Sequence, residues 1–515
     1  MSFIGIHGHV DFESDVLVIG YGGAGAVSAM AAHDSGAKVT IIEKMKRGGG
    51  ATRLSSGGIY VPLDMEFADY LDDIWLGRTP RDVIDTYVEQ AIHIEEYLKS
   101  LGVTTERWKS QEIGASYPPL GRPSWSKVRG GKSMIRCHAT ASDEKPVDPA
   151  VWGKMTYPEK VWHIGRTYGI SLWEQLSRSV EKRNIAIHYE TRANELIQND
   201  DGAVVGVKAE SSGKQVIYKA KRAVIMTTGG FGSNEHMKAA YLSCPFVYGG
   251  TNDFATGDGH AMTQKAGARF WHMQAVCGQV GFKASEFDQA FQPRCAGEAF
   301  VWVDKNGRRY TNETTEKLHN AWRKCSLFDP ENDLRDGKEW PRVPVYMVFD
   351  ETLMRAAPIS RDWRPNKDHD WSLDNSDELA RGWIKKGNTI AELAHVLSMD
   401  ESVLKGTIAR FNESCRAGAD SEFGRAPATM ASMTHGPYYA LPLMPMLIST
   451  QGGPEHDKEA RVLDSNCKPI SRLYAAGELS SIIGWLYEAG GGHTECVVFG
   501  KIAGLNAAKE IPLAD

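Results

Sequence analysis

The chain has no apolar run long enough to cross a bilayer as a helix, no block of basic residues and no Cys-x-x-Cys pair. The first absence excludes a helical span, which needs roughly 20 consecutive apolar residues. The second removes the electrostatic footprint of a nucleic-acid binder, and the formal net charge of −6 agrees with that. The eight cysteines, Cys137, Cys244, Cys277, Cys295, Cys325, Cys415, Cys467 and Cys496, are scattered. None sits at zinc or iron–sulfur spacing, so they read as reduced, mostly packed thiols and no metal is expected. Residues 1–13 lack the charged start and apolar stretch of a secretory leader and carry no twin arginine. A cytoplasmic protein with no membrane or nucleic-acid partner is expected.

What remains is ordinary globular material, 42% hydrophobic and 24% charged. At 515 residues the chain exceeds one ordinary core, so two or three domains are expected. The 14 tryptophans are many for this length. Most are expected in cores, and some can line a pocket for a flat apolar ligand.

Asp15-Val-Leu-Val-Ile19 reads as a buried parallel strand, apolar without alternation. A glycine turn follows, then a helix over Ala26 to Ser35 closed by Gly36, then a second strand, Lys38 to Ile42. The turn, Gly20-Tyr-Gly-Gly-Ala-Gly25, fits G-x-G-x-x-G inside one βαβ unit, with Glu43 at the end of the second strand. Gly20, Gly22 and Gly25 permit the tight turn, close approach to a pyrophosphate and close helix–strand packing. Gly23 and Ala24 belong to the same turn, and the N-terminus of the helix that follows offers free N–H groups to an anion. Glu43 suits ribose hydroxyls.

NAD and FAD share this fingerprint, so the choice rests on two later segments. Gly48-Gly-Gly-Ala-Thr-Arg-Leu-Ser-Ser-Gly-Gly58 is a second glycine-rich loop directly after the acidic residue. It suits a longer cofactor that continues past its pyrophosphate. Near the other end, Tyr474-Ala-Ala-Gly-Glu478 and Gly490-Gly-Gly492 precede a helix from about Glu495 to Lys509. Glu478 can accept from ribityl or ribose hydroxyls, and the helix N-terminus can face an isoalloxazine, stabilising negative charge on the reduced ring. FAD is the cofactor expected.

Between these ends, helical patterns run from Asp64 to about Leu101, clearest over Asp82 to Lys99, and again over Tyr168 to Lys182. The stretch from Gly102 to Pro158 is rich in Gly, Pro, Ser and Trp and reads as loops over a site. Ala186 to Glu190, Glu195 to Gln198, Val204 to Ala209 and Gln215 to Ala220 look like a β-meander, followed by the strand Ala223 to Met226. From about Phe270 to His435 mixed α and β signals suggest an insertion. The expected architecture is α/β: a Rossmann-type FAD-binding domain, parallel sheet plus meander, from 1–269 and 436–515, with an α+β capping substrate domain at 270–435.

The chain resembles the flavoprotein subunits of fumarate reductase and succinate dehydrogenase, together with the 3-ketosteroid dehydrogenases. The resemblance covers nearly the whole chain. It rests on Gly20-x-Gly-x-x-Gly25 with Glu43, Ser55-Ser-Gly-Gly58, Thr228-Gly-Gly-Phe-Gly232, Thr256-Gly-Asp-Gly-His260 and Val303-Asp-x-x-Gly-Arg-Arg-Tyr-x-Asn-Glu313. It continues through Val345 to Asp350, Thr450-Gln-Gly-Gly453, Leu473 to Glu478 and Phe499-Gly-Lys-Ile-Ala-Gly504. It implies an FAD domain built from both chain ends, a cap between them, and hydride transfer at flavin N5 to or from a carbon next to an activating carbonyl. With the motifs it implies FAD contacts at Gly20, Gly22, Gly23, Ala24, Gly25, Glu43, Lys44, Gly50, Ala51, Thr52, Ser55, Ser56, Gly57 and Gly58. It adds Thr228, Gly229, Gly230, Asp258, Gly477, Glu478, Gly492 and Cys496. No histidine stands where succinate dehydrogenases attach FAD covalently, so binding is expected to be non-covalent.

The departures from the family pattern shape the reaction expected. The proton-donating arginine position of fumarate reductases, four residues after the Asn-Glu pair, is Lys317 here; a histidine position is Ser449; the substrate-carboxylate arginine aligns with Ala489. Losing that clamp argues against a C4 dicarboxylate. The ketosteroid enzymes polarise a ketone with a tyrosine and, four residues later, a glycine N–H; Tyr487 and Gly491 fall at those positions, although the proline–glycine pattern after that tyrosine is missing. The expected reaction is dehydrogenation of a CH–CH bond α,β to a ketone in a small, largely apolar, cyclic or steroid-like substrate. Tyr487 and Gly491 would hold the carbonyl oxygen and Lys317 or His319 would move the proton. Reduction of an enone or unsaturated acid, and flavin binding without catalysis, remain open alternatives, as do the electron partner and the oligomeric state. His493 can contact flavin or substrate, Glu313 suits anchoring the cap or the adenine side, and Tyr117, Arg122 and Trp125 lie in a loop that can face the substrate.

Overall fold

The computed structural model describes residues 9–107, 127–140, 157–250, 254–287, 289–293, 297–314, 318–325, 340, 342–360, 369 and 371–513. Two large sheets organise it. The first is eight-stranded, and its main path runs Arg461–Leu463, Pro469–Ala475, Lys214–Met226, Phe12–Ile19, Val39–Ile42, Ala186–His188. Every pairing along that path is parallel except the outermost, Arg461–Leu463 with Pro469–Ala475. The unbroken apolar run of the first strand has a physical reason. Val16 and Val18 face one core, shared with both terminal helices, while Leu17 and Ile19 face another on the opposite side of the sheet. Ala223 and Ile225 divide from Val224 and Met226 in the same way. A strand covered on both faces has no polar side to alternate with.

The meander differs from the sequence reading. Ala186–His188 leaves it and pairs in parallel with Val39–Ile42 as a sheet edge. Thr191–Gln198, Val204–Ser211 and Lys214–Met226 form the antiparallel meander. Gln215 to Ala220 and Ala223 to Met226 are two halves of one 13-residue strand, the first half bonded to the meander and both halves to Phe12–Ile19. Its pattern changes midway because its neighbours change, which a one-dimensional pattern records as two strands. The helix expected over Asp82 to Lys99 is two, Arg81–Ala91 and Ile94–Ser100.

The chain ends meet through two helices. The first, Gly23–Asp34, begins at the glycine turn, and the last, Gly491–Lys509, crosses it. A side chain at Gly504 would strike the Ser28 carbonyl oxygen, and one at Gly500 would stand 3.0 Å from that of Ala24. The Phe499–Gly504 motif is therefore a close helix–helix contact.

The second sheet is six-stranded and centres on Tyr438–Thr450, which pairs with Val247–Tyr248, Val276–Gly281, Val345–Asp350 and Lys385–Gly387. Phe300–Val303 completes it. One face packs Met347, Phe349, Leu441 and Leu443 with Trp322 and Trp383; the other packs Val301, Val348 and Ala440 against Leu404 and Phe411. Below the second face lies a buried ion network. Glu313 accepts from Arg309 Nε and Nη2 at 2.8 and 2.9 Å, from Trp302 N at 3.1 Å and from Arg425 Nη1 at 3.3 Å. Arg309 also pairs with Asp420 at 2.8 Å. Glu313, Arg309 and Arg425 are buried, so charges removed from water are held by one another, by Asp420 and by backbone groups such as the Phe300, Thr429 and Glu298 carbonyls that accept from Arg425.

Candidate active site

A cleft lies at the carboxyl ends of the parallel strands, where ligands bind in open α/β sheets. Gly20, φ +98°, makes the tight turn, and a Cβ there would stand 2.6 Å from the Thr227 carbonyl oxygen. A Cβ on Gly25 would collide with the carbonyl oxygen of Gly20. Gly22 differs: a Cβ there would meet only the Gly49 oxygen, at 3.8 Å, and would otherwise point into the cleft. No side chain caps the following helix and no acidic residue occupies its first turn, leaving a positive dipole end facing that space. Thr52 Oγ1 accepts from Gly23 N at 3.1 Å, tying the second glycine loop to the first.

Glu43 accepts from Tyr21 N and Met45 N, both at 2.8 Å, which fixes its carboxylate at the cleft wall. Burial pushes its pKa up against those two bonds. Lys44 Nζ donates to Thr256 Oγ1 at 2.5 Å and pairs with Asp258 at 3.0 Å, and Arg192 holds the other oxygen of Asp258 at 2.7 Å. Across the cleft, Thr228 Oγ1 is buried without a hydrogen-bond partner. Glu478 accepts from Thr450 N and Oγ1 at 3.1 and 3.2 Å. A Cβ on Gly230 would collide with that carboxylate.

A family model described as an FAD binding domain matches residues 15–493. The chain belongs to this FAD-binding family. It is similar to urocanate reductase of Eggerthella lenta, 28% identical over 96% of this chain and 75% of that protein. It is also similar to 3-oxosteroid 1-dehydrogenase of Mycolicibacterium smegmatis, 24% identical over 96% and 97%. Its fold matches that of 3-ketosteroid Δ1-dehydrogenase from Sterolibacterium denitrificans, solved in complex with 1,4-androstadiene-3,17-dione. The TM-score is 0.81, with 21% identity over 96% of this chain and 99% of that one. The protein is an FAD-dependent oxidoreductase of the fumarate reductase and steroid dehydrogenase kind.

The cleft fits FAD on its own geometry: a glycine with open space before it, an uncapped helix start, an unpartnered buried hydroxyl, and walls from both ends of the chain. Gly20, Gly22, Gly23, Ala24, Glu43, Lys44, Gly50, Ala51 and Thr52 line it from the N-terminal side. Thr228, Gly229, Gly230, Asp258, Glu478 and Cys496 line it from the rest of the chain. Gly25 lies behind the turn, and Gly477 packs against Ala24 and Cys496. Ser55, Ser56, Gly57, Gly58 and Gly492 are not part of the lining. Ser55 Oγ meets His493 Nε2 at 3.0 Å and accepts from Gly57 N at 3.0 Å, and His493 Nδ1 meets the Gly58 oxygen at 2.9 Å. Burial pushes the His493 pKa down, so a neutral ring bridges this loop to the last helix. Tyr21 and Arg192 also line the cleft and were not foreseen. Arg192 has no local motif; only the meander's return past Asp258 brings it there.

The segment before the last helix forms the other side. The Tyr487 oxygen accepts from Gly492 N at 3.3 Å, which leaves the phenol hydrogen to donate elsewhere. Burial, first among the causes, raises its pKa well above the ordinary tyrosine value, so it stays protonated. His319 stands beside it, ring centroids 5.4 Å apart. Asn320 donates to the Tyr487 carbonyl oxygen at 3.1 Å and Arg323 to that of Trp485 at 2.9 Å, clamping the segment to the cap. From below, Glu488 pairs with buried Arg136 at 2.5 Å and accepts from Tyr70 at 2.6 Å. The expectation for Gly491 needs correction: its N–H donates to the Glu488 carbonyl at 3.0 Å, closing a turn, and is not aimed at a ligand. Lys317, Tyr117, Arg122 and Trp125 lie outside the described residues.

Proposed function

We propose that this flavoprotein dehydrogenates a CH–CH bond α,β to a ketone in a cyclic or steroid-like substrate. The observation that carries this reading is Tyr487. Its oxygen is filled on one side by the Gly492 N–H, and its own hydrogen is available beside the His319 ring. FAD, when bound, supplies two-electron exchange with a substrate carbon. The remaining work belongs to the chain. The Tyr487 O–H donates to the ketone oxygen and steadies the charge that gathers there as the α-proton leaves. His319 takes that proton, with Lys317 as its rival. The cap residues Asn320 and Arg323 hold the Tyr487 segment in register with the cap. We place the working boundary of the cap near residues 242 and 450, because both Val247–Tyr248 and Tyr438–Thr450 belong to its sheet.

FAD is held without a covalent bond. Among the described residues no histidine lines the cleft, and the Cys496 thiol there is pushed up by burial to a pKa of about 12, which keeps it unreactive. Acid precipitation is expected to release all of the flavin into the supernatant. Tyr487→Phe tests the central assignment: kcat with a saturated 3-ketosteroid and an artificial acceptor should fall on the order of 100-fold while bound FAD is unchanged. Full turnover in that variant would remove Tyr487 from the mechanism.

The similarity to a urocanate reductase favours a second reading, reduction of an enone or unsaturated acid at the same site. Anaerobic mixing of the reduced holoprotein with candidate enones separates the two. Rapid reoxidation by enones, with no bleaching by saturated ketones, selects the reductase.

A further inference from the structure

Between the FAD cleft and the Tyr487 side runs a chain of polar side chains that the reaction above does not use. Glu495, in the last helix, is buried, and its Oε1 accepts from Ile482 N at 2.7 Å. Its Oε2 lies 2.8 Å from Ser481 Oγ. Ser481 Oγ also lies 3.0 Å from the Gln451 amide oxygen and accepts from Ile483 N at 3.2 Å. The Gln451 amide nitrogen reaches Ser449 Oγ at 2.8 Å. Ser481 and Gln451 are buried, and Ser449 is half-open. Ser449 is the cross-strand partner of Cys277, so the two side chains share a face of the sheet. Cys277 is near enough to bear electrostatically on Tyr487. Val276–Gly281 also packs against the Leu318–Asn320 turn that carries His319.

Counting hydrogens leaves two consistent orders. Ser481 has one hydroxyl hydrogen and two oxygen neighbours, so it cannot donate to both. If Glu495 is ionised, Ser481 donates to it. The Gln451 amide is then turned about, and Ser449 gives its hydrogen to the amide oxygen. If Glu495 is protonated, it donates to Ser481, Ser481 donates to the amide oxygen, and the amide nitrogen donates to Ser449. The Ser449 hydrogen is then left for a ligand. A half-turn of the Gln451 side-chain amide exchanges its two atoms between the hydroxyls, so the surroundings of Glu495 decide. The groups that bear on it are Glu478 from the turn after Pro469–Ala475, Tyr60 and Tyr87 from the elements beneath, Tyr487 from the site, and Cys496 on its own helix. One turn further along that helix, Phe499 packs edge-on to His456, whose pKa burial pushes down to about 4, so this ring is neutral. None of these is a cation.

We propose that Glu495 is held as the neutral acid and that its proton sets the order Glu495, Ser481, Gln451, Ser449, so that the Ser449 hydroxyl faces the substrate side as a donor. Burial pushes the Glu495 carboxyl up to a pKa of about 8, with the Glu478 carboxylate adding to the rise, in agreement with that order. Glu495 is a positioning residue: it acts through Ser481 and Gln451 and touches no reacting atom. The inference rests on the reading of the Tyr487 side as the substrate side, but its test does not.

Infrared difference spectra of the holoprotein are recorded in H₂O and D₂O from mildly acidic to alkaline pH. The expected result is a carboxylic-acid carbonyl band that shifts in D₂O, disappears in the alkaline range, is absent from Glu495→Gln and is displaced in Ser481→Ala, where the acid has lost its acceptor. Absence of such a band in the mildly acidic wild-type protein overturns the proposal, as does persistence in Glu495→Gln of the band that is lost in the alkaline range; a Glu478 carboxyl, raised to about 7, is lost at lower pH and is told apart by that. Should Glu495→Gln not fold, Ser481→Ala decides, and an undisplaced band there overturns the proposal. Tyr487→Phe should keep the band, so failure of the ketone reading and failure of this inference are separately visible.

Discussion

Replacing Gly22 and Gly25, three residues apart in one turn, should have opposite consequences. At Gly25 the added methyl carbon collides with the Gly20 carbonyl oxygen, a backbone atom, so the turn or the first helix must move. Overpacking of that kind costs about 1–3 kcal/mol or more, and the apoprotein itself should lose stability. At Gly22 the backbone is extended, φ −98° and ψ −164°, which alanine adopts without strain. The nearest atom to its new carbon is 3.8 Å away. The apoprotein should then lose no more than about 1 kcal/mol, the difference between glycine and alanine before a helix. The methyl nevertheless projects into the cleft where a pyrophosphate must approach the helix start. A comparable 1–3 kcal/mol clash would be met only by the cofactor, weakening FAD roughly 5- to 150-fold. Thermal unfolding of the apoproteins, and FAD titration followed by quenching of flavin fluorescence, measure the two effects. Unchanged FAD affinity in Gly22→Ala, or an apoprotein as destabilised as Gly25→Ala, would refute the account of the cleft.

Glu313→Ala should leave Arg309 and Arg425 buried with too little countercharge, at a cost of about 3–5 kcal/mol. Urea unfolding should show the loss while the visible spectrum of bound flavin is retained at low denaturant, and a loss under 1 kcal/mol by the same measure would mean that the network is not the cap's anchor. Stability of the apoprotein should fall as pH rises from about 4.5 to about 8, because burial holds a proton on Glu495 that the unfolded chain has already released. The contribution is complete below the ordinary glutamate value and gone above about 8, with a slope of roughly 1 kcal/mol per pH unit. Glu478, raised to about 7, adds a smaller share because it borders the cleft. Denaturant titrations across that range should show a flatter profile in Glu495→Gln, and a wild-type stability that rises with pH would contradict the sign.

Much of this protein was legible in one dimension. The glycine turn, Glu43, the second glycine loop and the Ala-Ala-Gly-Glu478 segment each rest on local stereochemistry: a positive φ, a close approach, a helix start. Such demands are written into consecutive residues, and the cleft gathers most of the residues expected there. The parallel strands were legible for the same reason, since a strand covered on both faces must be continuously apolar.

What the linear order could not state is which groups already have partners. The Gly491 N–H looks available in the sequence and is taken by the Glu488 carbonyl in the fold. Arg192 has no motif and is placed on Asp258 by the path of a meander. The Asn-Glu313 pair is a family signature in sequence, and only the fold turns it into the hub of a buried charge network closed by Arg425, more than a hundred residues away. Hydrogen-bond satisfaction and burial depend on every neighbour at once, and most of the neighbours here are supplied by the opposite end of the chain or by the cap. Sequence therefore determined the kind of cofactor and the place it binds, and tertiary structure decided which polar groups are left to do chemistry.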